Sequence, residues 1–217
     1  STFIAGVLAA RKGLKPPIGS ISQMAHIRLG TKEEGRNPLI KDFVPLAELD
    51  DLVFGGWDPI SPNVLEAART AGVLEGDDLS EISSDLESII PMEAVFDKKW
   101  VSRLDGVRVK DIESKWDQAE ALIQDIANFK EENDCDRLVM VWCGSTEAFQ
   151  EPSEVHASVA AFEEGLRNND PNISPSQIYA YAALQSDVPF ANGAPNLSCD
   201  LDCIVELSKS RGVPIAG

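Results

Sequence analysis

Basic residues are scarce in this chain. Its 217 residues include 19 Lys and Arg against 36 Asp and Glu, so the formal net charge is -17 at pH 7. Most of such a surface would repel a phosphate backbone, and nucleic acid is therefore not expected as a partner. Long apolar runs are also missing. None approaches the length of a membrane-spanning helix, so no membrane partner is expected.

Residues that bind metal ions are few as well. The chain has two histidines, His26 and His156, and both lie far in sequence from Cys199 and Cys203. The two cysteines are four residues apart, but a metal site would need further ligands near them, so no metal site is predicted. Free thiols in a reducing cytoplasm are expected instead. No signal peptide pattern is visible, and a cytoplasmic location is predicted.

The remaining composition, with 43% hydrophobic and 25% charged residues, is that of an ordinary globular protein. Apolar spacing and capping residues predict helices at 2–12, from Ser61-Pro62 onward, and at 77–89, 116–132, 155–166, 175–186 and 200–210. Strands are predicted at 24–29, 52–54 and 138–142, near 190, and at the end of the chain. The apolar run at 138–142 is typical of a parallel strand that is buried on both faces. This alternation predicts an α/β fold with a parallel sheet flanked by helices.

Three loops that follow predicted strands are rich in small residues: Gly55–Asp58, Cys143–Glu147 and Asn192–Asn196. Ligands of parallel sheets bind beyond the carboxyl ends of the strands, where small residues let a flat ligand approach the backbone. Asp58 could accept hydrogen bonds from a ribose diol, or it could cap the helix predicted at Ser61-Pro62. Turns also need glycine and asparagine, and the chain has no G-x-G-x-x-G motif, so the residues alone leave a nucleotide site as one of two interpretations.

Four collinear segments resemble the inositol-phosphate synthase family. The family's opening "ST..AGVLA" matches Ser1–Ala9, and its "GGWD" segment matches Gly55–Asp58. Its "FKEEN" unit, which ends in "W…TE", matches Phe129–Glu147. Its "SPS" helix and following "NGsP" loop match Ser174–Pro195.

The resemblance implies a Rossmann-like NAD-binding domain over residues 1–217. It also implies that NAD serves in the conversion of D-glucose 6-phosphate to 1D-myo-inositol 3-phosphate, in inositol and phospholipid biosynthesis. The implied route oxidises C5, enolises at C6, closes the ring onto C1 and returns the hydride, so that NAD is regenerated. The family also implies a homotetramer, which is assembled through a second domain.

Carried over position by position, the resemblance implies cofactor-binding residues in four places. Asp58 would hold the adenosine ribose, and Ser1 would end the phosphate-binding turn at a helix N-terminus. The nucleotide cleft and the nicotinamide half would be lined by the two later loops, through Cys143, Gly144, Ser145, Thr146, Gly193 and Ala194. The family's "TANTE" reads Cys143–Glu147 here, which removes a side-chain amide from this set.

The family's glycine-rich loop and first strand would precede Ser1, and its catalytic lysines would follow Gly217. We therefore expect an internal fragment whose sheet lacks its first strand, and no catalytic residue is assigned. Two alternatives stay open: another Rossmann NAD(P)-dependent oxidoreductase, or a non-catalytic nucleotide-binding remnant. The oxidoreductase would need an acid or base near the nicotinamide. His156 is the only histidine near a strand-end loop, and it is expected at the surface.

Overall fold

The computed structural model describes residues 1–72 and 79–217, which form two compact units. The first unit contains Ser1–Gly56 and Ser61–Met92, and the second contains Trp57–Ile60 and Glu93–Gly217. Residues 73–78, which include the start of the helix predicted at 77–89, lie outside the described part. The later portion of that helix is present as Ser83–Ser88.

The first unit is built from short helices, and α1 lies where the sequence predicts it. Five buried residues of α1 and α4 (Ala5, Leu8, Val64, Leu65 and Ala68) form most of its core. Gly13 follows α1 with a φ of 70°, the left-handed conformation that favours glycine at a helix end. The helices are α1 Thr2–Arg11, α2 Ile21–Met24, α3 Ile40–Phe43, α4 Val64–Ala71 and α5 Ser83–Ser88.

Both strands predicted in this unit are wrong. Residues 24–29 contribute the end of α2 and two isolated antiparallel bridges, to Leu39 and Arg36. Residues 52–54 are extended without a strand assignment, and Val53 is 49% exposed. Three apolar residues are too few to predict a strand, because a strand forms only where partners that are distant in sequence pair with it.

The predicted helix start at Ser61-Pro62 is also wrong. Helix α4 begins at Val64, and its N-cap is Asn63, whose side chain accepts a hydrogen bond from the Glu66 backbone N–H. Asparagine satisfies an orphan helical N–H at least as well as serine does, so local capping chemistry moved the start by two residues.

The second unit follows the predicted order of helices and strands. Its helices are α6 Lys115–Glu132, α7 Val159–Arg167, α8 Pro175–Gln185 and α9 Asp202–Arg211, and its strands are β1 Met140–Trp142, β2 Phe190–Asn192 and β3 Ile215–Ala216. The predicted start of α8 is confirmed, because Ser174 and Gln177 form a capping box with Pro175 at the first turn.

The predicted parallel sheet is confirmed. Its strand order is β1-β2-β3, with Met140 opposite Phe190 and Phe190 opposite Ile215. Burial of β1 on both faces is wrong, since Val139 is 67% and Val141 48% exposed. Met140 and Trp142 pack against the core, whereas Val139 and Val141 lie on the opposite face, so only one face of β1 is covered.

Helix α8 runs through the centre of the second unit's core. Its residues from Pro175 to Leu184 are all buried, including the polar Ser176 and Gln177. Buried polar groups need hydrogen-bond partners, and these two find them in the loops at the ends of β1 and β2. The core helix therefore connects directly to the carboxyl edge of the sheet. Over the described residues, no helix is both long and apolar enough to cross a membrane.

Candidate functional site at the carboxyl edge of the sheet

The loops after β1 and β2 leave the sheet side by side. Trp142 and Asn192, the last residues of the two strands, are paired in the parallel register. The four residues after Trp142 are exposed, and so is Gly193. The structure thus brings together the candidates that the sequence places in these loops: Cys143, Gly144, Ser145, Thr146, Gly193 and Ala194.

The glycines of these loops lie against Trp142. The Gly193 N–H donates a hydrogen bond of 2.8 Å to the Trp142 carbonyl, and a Cβ on Gly193 would stand 3.0 Å from that oxygen. A Cβ on Gly144 would stand 3.0 Å from the Trp142 ring. Larger residues would crowd both positions. Glycine at both positions therefore lets the loops pack on Trp142, and it leaves exposed backbone bare of side chains at the strand ends.

Asparagine side chains hold the second loop in shape. The Asn192 Oδ1 atom accepts from the Ala194 N–H at 3.1 Å, and its Nδ2 atom donates to the Asn196 carbonyl at 2.7 Å. The Asn196 Oδ1 atom accepts from the Glu147 N–H at 2.9 Å, which ties the second loop to the first. The two loops are therefore one hydrogen-bonded structure.

Glu147 is anchored to the core helix behind the loops. Its carboxylate accepts from the Ser176 N–H at 2.8 Å and from the Ser176 hydroxyl at 2.6 Å. Burial raises the pKa of this carboxyl above its ordinary value of 4.5, and the hydrogen bonds from Ser176 act in the opposite direction. Sequence reasoning gave no role to Glu147, Ser176 or Asn196, because their contacts join segments that are far apart in the chain.

Asp58 lies in a tethered turn of the second unit. Its Oδ1 atom accepts from the Ile60 N–H at 2.7 Å, and the Pro59 carbonyl accepts from the N–H groups of Val107 and Arg108. Since α4 begins at Val64, the alternative that Asp58 caps a helix at Ser61-Pro62 is wrong. The carboxylate stabilises an Asx-type turn instead.

The tryptophan before Asp58 links this turn to the core beneath β1. The Trp57 ring packs on Tyr179 at 5.2 Å between centroids, and Tyr179 packs on Trp142 at 5.3 Å. The Trp57 Nε1 atom also donates to Asp125 at 2.7 Å. These contacts fix the backbone that carries Asp58 to the same core helix that supports both loops.

Ser1 belongs to the first unit, where it is the N-cap residue of α1. Its carbonyl accepts the first helical hydrogen bond, from the Ala5 N–H at 3.0 Å, and its side chain makes no capping bond. The predicted position at a helix N-terminus is confirmed. Such an end favours anions.

His156 is buried, so its expected surface position is wrong; its exposed fraction is 3%. The Nδ1 atom accepts from the Ser153 N–H at 3.0 Å, and Nε2 lies 3.1 Å from the Gln177 Oε1 atom. The Gln177 amide donates from Nε2 to the Leu197 carbonyl, which leaves Oε1 to accept from His156. The ring therefore donates from Nε2, which reaches the second loop through Gln177, whereas Nδ1 accepts from Ser153.

The four cysteines are free, and they differ in accessibility. Cys143 is exposed at the strand edge, whereas Cys199 and Cys203 are buried. Burial raises the pKa of both buried thiols, to about 12 for Cys203. In residues 1–72 and 79–217, no three His, Cys, Asp or Glu side chains are grouped so that they could hold a metal ion.

Comparison with known proteins identifies the family. A family model of an NAD-binding domain, described as myo-inositol-1-phosphate synthase, matches residues 1–217. This chain belongs to the myo-inositol-1-phosphate synthase family. Inositol-3-phosphate synthase 1 of Bacteroides thetaiotaomicron is 48% identical over 218 residues, which cover 100% of this chain and 50% of that protein. Inositol-3-phosphate synthase of Brassica napus is 32% identical, with coverage of 100% and 45%.

A solved structure of the family shows the same fold. Inositol-3-phosphate synthase from Caenorhabditis elegans superposes with a TM-score of 0.88 at 23% sequence identity, over 99% of this chain and 45% of that one. The chain spans about half the length of the curated relatives it matches. The predicted Rossmann-like α/β class and the predicted NAD cofactor of the family are therefore confirmed.

Proposed function

We propose that the full-length protein isomerises D-glucose 6-phosphate to 1D-myo-inositol 3-phosphate, and that residues 1–217 supply its NAD-binding part. The observation that carries this proposal is the pairing of Trp142 with Asn192, which sets two small-residue loops side by side at the carboxyl edge of a parallel sheet. The relatives named inositol-3-phosphate synthase support it.

In this proposal the loops form the floor of the cofactor site. Gly144 and Gly193 keep the backbone at the ends of β1 and β2 uncovered, and Ser145 and Thr146 offer exposed hydroxyl groups for hydrogen bonds to the cofactor. Cys143 and Ala194 complete the lining. When bound, NAD supplies reversible hydride acceptance, which suits a reaction whose substrate and product are isomers.

Two further residues are proposed to hold the outer parts of the dinucleotide. Asp58 accepts hydrogen bonds from the adenosine ribose while its Oδ1 atom keeps the turn to Ile60 closed. Ser1, at the N-terminus of α1, contributes to the phosphate-binding turn, where a helix dipole favours negative charge. We assign the catalytic lysines and the sugar-phosphate cleft to sequence that lies beyond this chain.

We further propose that the enzyme works in the cytoplasm, as a homotetramer, in inositol and phospholipid biosynthesis. The free state of all four cysteines supports a reducing compartment. The proposed assembly follows from the family resemblance and involves the second domain.

The experiment that tests the activity uses the full-length natural protein. Purified protein is incubated with glucose 6-phosphate, with and without added NAD after charcoal treatment. Inositol phosphate is separated from its isomer glucose 6-phosphate by chromatography and is then measured by mass spectrometry. We expect product only when NAD is present and no net NADH formation. Net NADH formation would favour an oxidoreductase, and NAD binding by calorimetry without product would favour a nucleotide-binding remnant.

A further inference from the structure

A small polar cavity lies behind the two strand-end loops in the second unit. Its volume is about 20 Å³, and its lining includes Trp100, Glu147, His156, Gln177 and Asn196. A cavity of at least about 10–15 Å³, measured as space for a water-sized probe, can hold one water molecule. The cavity is therefore large enough for one water and too small for an organic ligand.

Two hydrogen-bond donors of this lining are buried without an acceptor among the described residues. They are the Trp100 Nε1 and Asn196 Nδ2 atoms. The orientation of the Asn196 amide is set by the Glu147 N–H, because this donor requires the Oδ1 atom on its side. Nδ2 is thereby left on the other side. A buried N–H without an acceptor destabilises the folded state, so both nitrogens require one.

The chemistry of the lining selects the acceptor. Two N–H donors could bind a small anion, but the buried Glu147 carboxyl lines the same cavity and would repel it. Water can accept from both nitrogens and can donate to a carboxylate. His156 cannot accept from the two unpaired donors in place of water, because both of its ring nitrogens already bond Ser153 and Gln177.

We propose that this cavity binds one ordered water molecule, which accepts hydrogen bonds from Trp100 and Asn196 and makes Asn196 a positioning residue for the cofactor loops. Asn196 connects the loops through its side chain to Glu147 and through its carbonyl to Asn192. The Trp100 carbonyl accepts from the Ala148 N–H, which holds the same loop from the other side of Glu147. The water thus completes a frame that extends from the segment before α6 to the end of β2.

The first test is a high-resolution crystal structure of the full-length protein. We expect density for one water within hydrogen-bond distance of both the Trp100 Nε1 and the Asn196 Nδ2 atoms. A cavity without water density, or a water that contacts neither nitrogen, overturns the proposal.

The second test is the variant Trp100→Phe, which removes one donor and keeps an aromatic ring. The positioning role rests on the proposed NAD site, so the readout is the Kd for NAD by calorimetry beside the Tm. We expect the Kd to rise about threefold to tenfold, as for the loss of one bridging hydrogen bond. The control is Ile126→Val, a core change on α6 that lowers the Tm without touching the loops.

The two variants separate positioning from general stability. Two outcomes would show that the water does not position Asn196. In one, Trp100→Phe leaves the Kd for NAD unchanged. In the other, Ile126→Val raises the Kd as much as Trp100→Phe does when both variants lower the Tm equally. Should the wild-type protein bind no NAD at all, the proposed cofactor site fails, while the crystal density still decides whether the water is present.

Discussion

The backbone N–H of Gly193 donates to the carbonyl of Trp142 at 2.8 Å, one residue beyond the last pair of the β1–β2 ladder. A Cβ on Gly193 would stand 3.0 Å from the same oxygen. The parallel ladder is thereby continued into the loop, at a position where only glycine avoids crowding the neighbouring backbone. This contact joins the two loops at the point where the cofactor is proposed to cross the sheet.

The variant Gly193→Ala therefore tests the approach of the cofactor to the backbone. The added methyl group must push the Trp142 carbonyl away, so we expect the free energy of unfolding to fall by about 1–2 kcal/mol and the Kd for NAD to rise. Calorimetry and denaturant unfolding of the full-length protein provide the two values. Gly6→Ala is the steric control, since a Cβ at this position in α1 meets nothing within 4 Å, and alanine should stabilise the helix. Unchanged NAD affinity in Gly193→Ala would refute the close approach.

Asp58→Asn separates the two roles of this carboxylate. Asparagine keeps an oxygen for the Ile60 N–H, so the turn and the Tm should stay near wild type. The negative charge for the ribose hydroxyls is lost, and a charged hydrogen bond contributes about 1.5–3 kcal/mol, so we expect the Kd for NAD to rise about tenfold or more. Asp58→Ala should raise the Kd and lower the Tm together. If Asp58→Asn binds NAD with the wild-type Kd, the Asp58 carboxylate only stabilises the turn and does not bind the ribose.

The buried Glu147 carboxyl should make stability depend on pH. Burial raises its pKa above 4.5 in the folded state, and the charge of Asp97 acts in the same direction. The folded state therefore binds the Glu147 proton more tightly than the unfolded state does. The contribution of Glu147 to the free energy of unfolding is therefore at its maximum at pH values below 4.5, and it is lost as the pH rises through the raised pKa.

The neutral variant Glu147→Gln isolates this effect from all other carboxyls. We expect the difference in unfolding free energy, variant minus wild type, to increase between about pH 4 and pH 7, because only the wild type must bury a charge on deprotonation. Urea unfolding at several pH values measures the difference. Ser176→Ala should steepen the trend, since the bonds from Ser176 stabilise the carboxylate. A difference that does not vary with pH would contradict the raised pKa.

The cysteines offer a footprint of the cofactor site. Cys143 is exposed at the carboxyl end of β1, and Cys135 lies before the amino end of the same strand. We expect N-ethylmaleimide to modify both in the protein without NAD, and to spare Cys199 and Cys203, whose burial raises their pKa. Bound NAD should slow modification of Cys143 and leave Cys135 unchanged, as peptide mass spectrometry can quantify. Equal protection of the two would place the cofactor elsewhere.

Much of the second unit is predictable from sequence because its signals are local. The apolar stripe of α6 and the Ser174-Pro175 cap of α8 define their helices within a few residues. In the first unit, the sequence pattern mispredicts 52–54 as a strand and places the start of α4 two residues too early. The apolar pattern at 52–54 is short, and strand formation there depends on partners distant in sequence. The start of α4 depends on which side chain accepts from a free helical N–H.

The helices of the second unit, the parallel class of the sheet and the family of the chain can all be inferred from the sequence. These follow from periodicity, capping residues and collinear motifs, which are all properties of neighbouring positions. The frame behind the two loops and the burial of His156 result from tertiary packing. The frame consists of Glu147, Ser176, Asn192 and Asn196. Hydrogen bonds between segments tens of residues apart form only when packing brings those segments together, and no local pattern in the chain encodes them.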